Sequence, residues 1–352
     1  MRDVYQQLSE HLNRLPAGYP ATDSGVELRI LKRLFTAREA EVATGLTMRL
    51  ESAEVIADRL KSDVAETSEI LDRMSRNGLI FRTTKKGETK YMASQFVVGI
   101  WEYHVNDLDE KLIRDFNEYV PYVINRQFTK QKTQQLRVIP VSKSIQAEMK
   151  VMPYDLAEEI IKQQSKLIVA PCICRREHKM VGKGCGYPME ACLIFGSGAY
   201  YYEENGLGRA IDQREALDIL NRGLEAGLVL QPGNAQKPSN ICMCCGCCCQ
   251  ILKNLKQMDK PAAIVSSNYY ARVDAEACTA CGVCEERCHM DAITLEETAH
   301  VVRDRCIGCG LCVPTCDYDA MRLVEKEPNG KTTPPANTFR TYLKIAKERG
   351  LM

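Results

Sequence analysis

The chain has 352 residues, 45% of them hydrophobic and 26% charged, which excludes a disordered chain and leaves room for two or three domains with their own cores. A formal net charge of +1 gives no overall attraction to nucleic acid or to an anionic membrane. No apolar run reaches the roughly eighteen residues that a membrane-spanning helix needs, and the opening residues lack an apolar stretch, so neither a span nor an export signal is expected. Eighteen cysteines in a chain of this kind read as metal ligands or reactive thiols of a cytoplasmic protein, because a reducing compartment does not sustain a disulfide framework.

Residues 26–35 place apolar side chains at helical spacing, Ser52 caps a second helix over 53–60, and a third runs through Val64, Ile70, Leu71 and Met74 to a stop at Asn77-Gly78. Runs at 79–82 and 90–92 then flank Lys85-Lys86-Gly87-Glu88 as a hairpin. Three helices followed by a hairpin resemble a winged helix–turn–helix domain, here residues 1–95. The third helix carries Asp63, Glu66, Glu69 and Asp72 against Lys61, Arg73 and Arg76, a balance that opposes the phosphate field of DNA. The basic hairpin (Arg82, Lys85, Lys86, Lys90) reads as a solvated turn, so protein docking is favoured over DNA binding. Residues 96–150 read as a helical connector with one apolar face, Leu112, Phe116, Tyr119 and Val120, punctuated by Pro121 and Pro140; Trp101 and Tyr103 read as core.

The middle region, 151–262, alternates a helix (154–164), a strand (167–170), a long amphipathic helix (213–226) and an apolar run (228–230) with ten cysteines, too many for packing alone. Cys172, Cys174, Cys185, Cys192, Cys242, Cys244, Cys245 and Cys247 form the candidate site, with Cys248 and Cys249 set aside as small hydrophobes at a helix start. Soft thiolates select iron–sulfur clusters, zinc or copper(I); an additional iron–sulfur cluster is expected here, with zinc as the alternative. His178 is the one non-cysteine ligand candidate of this region, although a histidine four residues after a cysteine in a loop is more often exposed than ligating; Arg175 and Arg176 read as countercharges to a cluster or as plain surface. The Cys245-Gly246 step resembles the CCG signature of heterodisulfide reductase subunits, which hold non-cubane clusters, although the rest of that signature is absent. The Pro171-Cys172-Ile173-Cys174-Arg175 and 242–249 segments together are similar to those of a group of 4Fe–4S-binding proteins of anaerobes, which implies an anaerobic setting and no particular reaction.

Near the C-terminus Cys278-Thr279-Ala280-Cys281-Gly282-Val283-Cys284-Glu285-Glu286-Arg287-Cys288 is repeated, 28 residues on, by Cys306-Ile307-Gly308-Cys309-Gly310-Leu311-Cys312-Val313-Pro314-Thr315-Cys316. Each run lets one tight loop offer three thiolates to an iron–sulfur cubane, with a fourth from elsewhere; zinc ribbons use paired two-cysteine knuckles instead. The pattern resembles the bacterial-type two-cluster ferredoxin domain over residues 268–326. The resemblance implies crossed ligation, with Cys278, Cys281, Cys284 and Cys316 holding one [4Fe–4S] cluster and Cys306, Cys309, Cys312 and Cys288 the other. The proline that the family carries after the fourth cysteine is here His289 in one run and Asp317 in the other.

The expected architecture is an α+β multidomain chain: a winged-helix-like domain (1–95), a helical connector (96–150), a Cys-rich α/β domain (151–262), a ferredoxin-like 2[4Fe–4S] domain (263–326), and a Pro-rich linker with a basic C-terminal helix (327–352). The expected function is electron transfer in anaerobic metabolism, between a redox partner and the cluster of the middle domain. A reductase with its catalytic centre in the middle domain is the first alternative, and a redox-sensing winged-helix regulator the second. Neither Gly196-Ser197-Gly198 nor Gly206-Leu207-Gly208 completes a dinucleotide fingerprint, so reducing equivalents are expected from a ferredoxin, a flavoprotein or an oxidoreductase subunit.

Overall fold

Asp3 caps the first helix, α1 (Val4–Asn13), by accepting the Tyr5 N–H at 3.1 Å. The structure, a computed structural model, describes residues 3–352 as a mixed α+β chain. They fall into two compact units: Met1–Gln131 with Ser197–Arg209 and Ile345–Met352, and Lys132–Gly196 with Ala210–Lys344. No helix among the described residues is long and apolar enough to cross a membrane.

The first unit continues through α2 (Val26–Leu34), α3 (Ala37–Thr44), α4 (Ala53–Leu60) and α5 (Val64–Arg76). Helix α3 went unread in the sequence; a capping box between Thr36 and Glu39 starts it. Strands β1 (Ile80–Lys85) and β2 (Glu88–Ala93) pair antiparallel through Lys85↔Glu88, and the two turn residues, Lys86 and Gly87, both take positive φ as a tight hairpin requires. Helices α6 (Trp101–Tyr103) and α7 (Glu110–Tyr122) follow, and Trp101 stacks on Phe116 at 3.5 Å between ring centroids. Burial of such side chains stabilises the unit by about 1.5–3 kcal/mol each. The hairpin is less basic than its sequence: Arg82 is buried against Ser75 and Glu204, and Lys90 pairs with Glu88 at 3.2 Å. On α5, Arg73 pairs with Glu39 and Arg76 with Asp72.

The second unit holds α8 (Ala157–Lys162), β3 (Leu167–Pro171), α9 (Ile173–Met180) and β4 (Glu190–Phe195). The chain then passes through α10 (Gly196–Glu204) to β5 (Arg209–Ile211), α11 (Gln213–Glu225), β6 (Val229–Pro232), β7 (Asn240–Cys244) and α12 (Gln250–Lys256). The strands form one sheet in the order β5-β3-β4-β7-β6, antiparallel between β3 and β4, β4 and β7, and β7 and β6. Strand alternation gives the sheet two chemically different faces. Met243 faces α11, where Gly223 makes room for it: a Cβ at Gly223 would lie 2.5 Å from the Met243 sulfur. Asn240, Cys242 and Cys244 take the other face, and Cys192 of β4 pairs directly with Cys242.

The cysteine repeat builds two short antiparallel ribbons and one helical turn: β8 (Tyr269–Val273), α13 (Val283–Glu286), β9 (Ile293–Leu295), β10 (Ala299–Val301) and β11 (Met321–Glu325), with β8 paired to β11 and β9 to β10. The last helix, α14 (Thr338–Glu348), is anchored in this unit by the Thr341 hydroxyl, which donates to the Asn234 carbonyl at 2.6 Å.

Candidate metal centres

The sequence repeat recurs in the backbone. Ala280, Gly282 and Asp291 take φ of 56°, 82° and 50°, and their counterparts 28 residues on, Gly308, Gly310 and Asp319, take 70°, 73° and 51°. Left-handed residues turn the loop so that successive N–H groups face inward, the arrangement that receives anionic sulfur. Gly308 also has no space for a side chain, since a Cβ there would lie 2.2 Å from the Tyr269 carbonyl oxygen.

Cys278, Cys281, Cys284 and Cys316 line one cavity, walled by Leu295, Ala299 and Met321. The Ala299 N–H donates to Cys278 Sγ at 3.3 Å. Cys288, Cys306, Cys309 and Cys312 lie near enough for thiolate charges to act among them, and Cys284 also acts on Cys312. Burial pushes the Cys309 thiol up to about 12, and burial followed by the charges of Cys309, Cys306 and Cys288 holds Cys312 well above the usual thiol range. N–H groups of Ala271 and Ala292 donate to Cys306 and Cys288, each at 3.3 Å. The cavity thus draws three thiols from one run and one from the other.

The ten thiols of the middle region separate into two groups. Cys185, Cys245, Cys247 and Cys248 bring their sulfurs within 4.8 Å of one another, with Cys185 and Cys248 at 3.5 Å. Among the described residues this is the group of thiol, imidazole or carboxylate donors that closes on a single point. The other six influence one another's titration as a chain of neighbours: Cys172 with Cys174, Cys174 with Cys249, Cys249 with Cys244, Cys244 with Cys242, and Cys242 with Cys192. Interaction with Cys192 and Cys244 brings Cys242 well below the usual thiol range, and interaction with Cys174 and Cys244 does the same for Cys249. Cys174 and Cys244 are correspondingly raised.

Arg175 lies near thiols of both groups. Only 1% exposed, it donates to the Met243 carbonyl at 2.6 Å and to that of Pro188, and its Nε has no partner. Burial alone would lower its pKa; the thiolates of Cys172, Cys245 and Cys244 outweigh burial and raise it. The four-thiol loop also abuts the repeat. A Cβ on Gly246 would lie 2.6 Å from the His289 carbonyl oxygen, so only glycine fits between Cys245 and Cys247 at this approach. His289 donates through Nε2 to the Gly227 carbonyl at 2.7 Å, and its ring meets that of Tyr187 edge-on at 5.9 Å. Arg287 caps the end of α11 through the Leu224 and Glu225 carbonyls, and Arg305 caps α12 through those of Lys256 and Met258. Each arginine immediately precedes a cysteine of the second repeat group.

Residues 299–322 match the Fer4 family, the 4Fe-4S binding domain. The matched stretch takes in Cys306, Cys309, Cys312 and Cys316. The chain is an iron–sulfur-binding protein. Comparison with curated proteins gives no match, and comparison with solved structures gives none.

The donor sets fit iron–sulfur chemistry: four thiols around one cavity, with backbone N–H groups aimed at the sulfurs, is what a cubane takes. In neither repeat group do the sulfurs close to within a single ion's reach, among the described residues. The middle four do: a Zn–S bond of about 2.3 Å places tetrahedral sulfurs about 3.8 Å apart.

Three expectations change. His178 is a helix residue of α9, only 6% exposed, with Nδ1 donating to the Cys174 carbonyl at 2.8 Å. Its spacing, four after Cys174, is the helical return and not a loop excursion. Arg175 is interior, while Arg176 is half-exposed. Cys248 and Cys249, set aside in the sequence as packing, each join a thiol group. The missed signal was strand parity: Cys242 and Cys244 share a face of β7, and the turn after Cys244 carries Cys245, Cys247 and Cys248 elsewhere.

Proposed function

We propose that this protein is an electron-transfer protein in which the cysteine repeat holds two [4Fe–4S] clusters, one on Cys278, Cys281, Cys284 and Cys316 and one on Cys288, Cys306, Cys309 and Cys312, and exchanges single electrons with a metal centre of the middle region. Bound there, such clusters supply one-electron redox chemistry at potentials tuned by hydrogen bonds and burial. The chain's own contribution is to hold thiols in two groups, the first open to solvent at Cys281, aim N–H donors at their sulfurs and dock the second group against the four-thiol loop. The observation that carries this reading is that approach: Gly246, between two thiols of the middle region, lies against His289, the neighbour of Cys288. Electrons passing between the regions therefore have a short path beside Tyr187 and His289. A reductase whose reactive centre is the four-thiol group is the second reading, favoured by the exposure of Cys247.

A redox partner protein supplies or accepts the electrons, and the N-terminal helices and hairpin, read as winged-helix-like, serve to dock it. The pairing of Arg73, Arg76 and Arg82 with acidic side chains supports protein docking over DNA binding. The test is anaerobic purification of the whole chain and EPR of its dithionite-reduced form. Two cubane signals are expected, one of which disappears in Cys281→Ala while the other persists. Retention of both in that variant contradicts the ligand assignment.

A further inference from the structure

Six of the middle thiols lie outside the four that close on one point. The strand and turn geometry separates them: Cys242 and Cys244 lie on one face of β7, Cys192 is the cross-strand neighbour of Cys242, and Cys172 and Cys249 stand at the starts of α9 and α12. We propose that Cys172, Cys174, Cys192, Cys242, Cys244 and Cys249 form a metal centre separate from the Cys185–Cys245–Cys247–Cys248 group, and that it holds a polynuclear iron–sulfur cluster.

Three observations carry this. First, six thiols exceed the four that a single tetrahedral ion takes; Cys192 and Cys242 are cross-strand partners, and the six do not converge on one point among the described residues. A set of donors more numerous than one ion takes suits a cluster carrying several metals and its own bridging sulfide. Second, interior amides are aimed at the sulfurs: Gln231, 3% exposed, donates through Nε2 to Cys249 Sγ at 3.7 Å, and Asn240, 6% exposed, donates through Nδ2 to Cys242 Sγ at 3.5 Å. Buried donors around thiolate sulfur are the outer hydrogen bonds that hold and tune a metal centre. Third, the buried Arg175 guanidinium, one residue after Cys174, donates to the carbonyl of Met243, the residue between Cys242 and Cys244, so a fixed positive charge is tied to the strand that carries two of these thiols. Thiolates of this kind accept iron–sulfur, zinc or copper(I); iron–sulfur is chosen because the same chain carries the 4Fe-4S binding match, so this inference rests on the iron–sulfur reading above.

The experiment compares the whole chain, purified anaerobically, with Cys174→Ser/Cys249→Ser and with Cys185→Ser/Cys247→Ser, measuring iron, zinc, copper and acid-labile sulfide per chain together with EPR and Mössbauer spectra. The first double variant is expected to lose several irons with their sulfide and to keep both the metal of the four-thiol group and the two repeat signals. The second is expected to lose the four-thiol metal and keep the iron of the six. Loss of the same metal from both variants, unchanged iron in the first, or zinc or copper as the metal it loses would each overturn the proposal. Gln231→Met keeps every thiol and tests the centre without threatening the fold: it is expected to shift one set of spectral lines, the set missing from Cys174→Ser/Cys249→Ser, and no shift overturns the proposal. The two repeat signals act as an internal control, since their absence from the wild type sinks the electron-transfer reading and not the separation of the two middle groups.

Discussion

At the scale of single residues, the chemistry of the middle region turns on Arg175. A guanidinium with 1% exposure is stable only where anionic partners and carbonyls surround it, and this one has the Met243 and Pro188 carbonyls with thiolates on two sides. Arg175→Gln is expected to destabilise the second unit by about 3–5 kcal/mol, the cost of leaving buried charges without their partner. Arg175→Lys, which keeps the charge and loses the fork that spans two carbonyls, falls between. Urea denaturation under anaerobic conditions measures both. Little of this was legible in the sequence. Cys278 to Cys288 and Cys306 to Cys316 announce their role because ligand spacing within one loop is a local property of the chain. The sorting of Cys242 from Cys245 depends instead on where β7 ends, and the pairing of Cys192 with Cys242, 50 residues apart, depends on strand order.

At the scale of elements, the two cysteine loops are one device built twice, with a difference that can be tested. Ala280 and Gly308 are equivalent and both left-handed, but only one of them is a glycine. A left-handed alanine costs about 1–2 kcal/mol in strain, part of which glycine returns as chain entropy in the unfolded state. Ala280→Gly is therefore expected to stabilise the repeat by about 0.5–1 kcal/mol, and Gly308→Ala to disrupt it, because its Cβ would meet the Tyr269 carbonyl oxygen at 2.2 Å. Thermal unfolding of the cluster-loaded chain, followed by the loss of visible absorption, compares the two. The N-terminal elements carry a pH dependence of their own. Burial lowers the His104 pKa below 6.5, against the Ile100 carbonyl that accepts its Nδ1 proton at 2.7 Å. The unfolded chain therefore takes up that proton at a higher pH than the folded one. Stability is fully present above about pH 6.5 and declines as pH falls toward the folded value, with a slope of at most about 1.4 kcal/mol per pH unit from this group. His104→Gln is expected to flatten that slope in urea melts taken between pH 7 and pH 5. Helix α3 shows how an element escapes a sequence reading: its residues lack a strong apolar period, and the capping pair Thr36 and Glu39 was the available signal.

At the scale of the whole molecule, composition and charge bounded the class, the repeat pointed to iron–sulfur chemistry, and the mixed α+β character followed from the alternation of helical and strand-like segments. The contacts that join the chemistry of the second unit were out of reach of the sequence. Arg287 and Arg305 each look like ordinary surface charge until they are found capping α11 and α12, and Gly246 looks like a turn residue until His289 is found against it. These contacts set the repeat against a thiol-rich sheet, and the account stands on that juxtaposition: electrons enter or leave through two cubanes and reach metal held by the middle thiols. Iron and acid-labile sulfide per chain, measured with EPR on the anaerobically purified and reduced protein, test it most directly. The account predicts about eight irons in two [4Fe–4S] clusters, together with further iron that is retained when Cys281→Ala removes one cubane. Two cubanes with zinc alone in the middle region would contradict it.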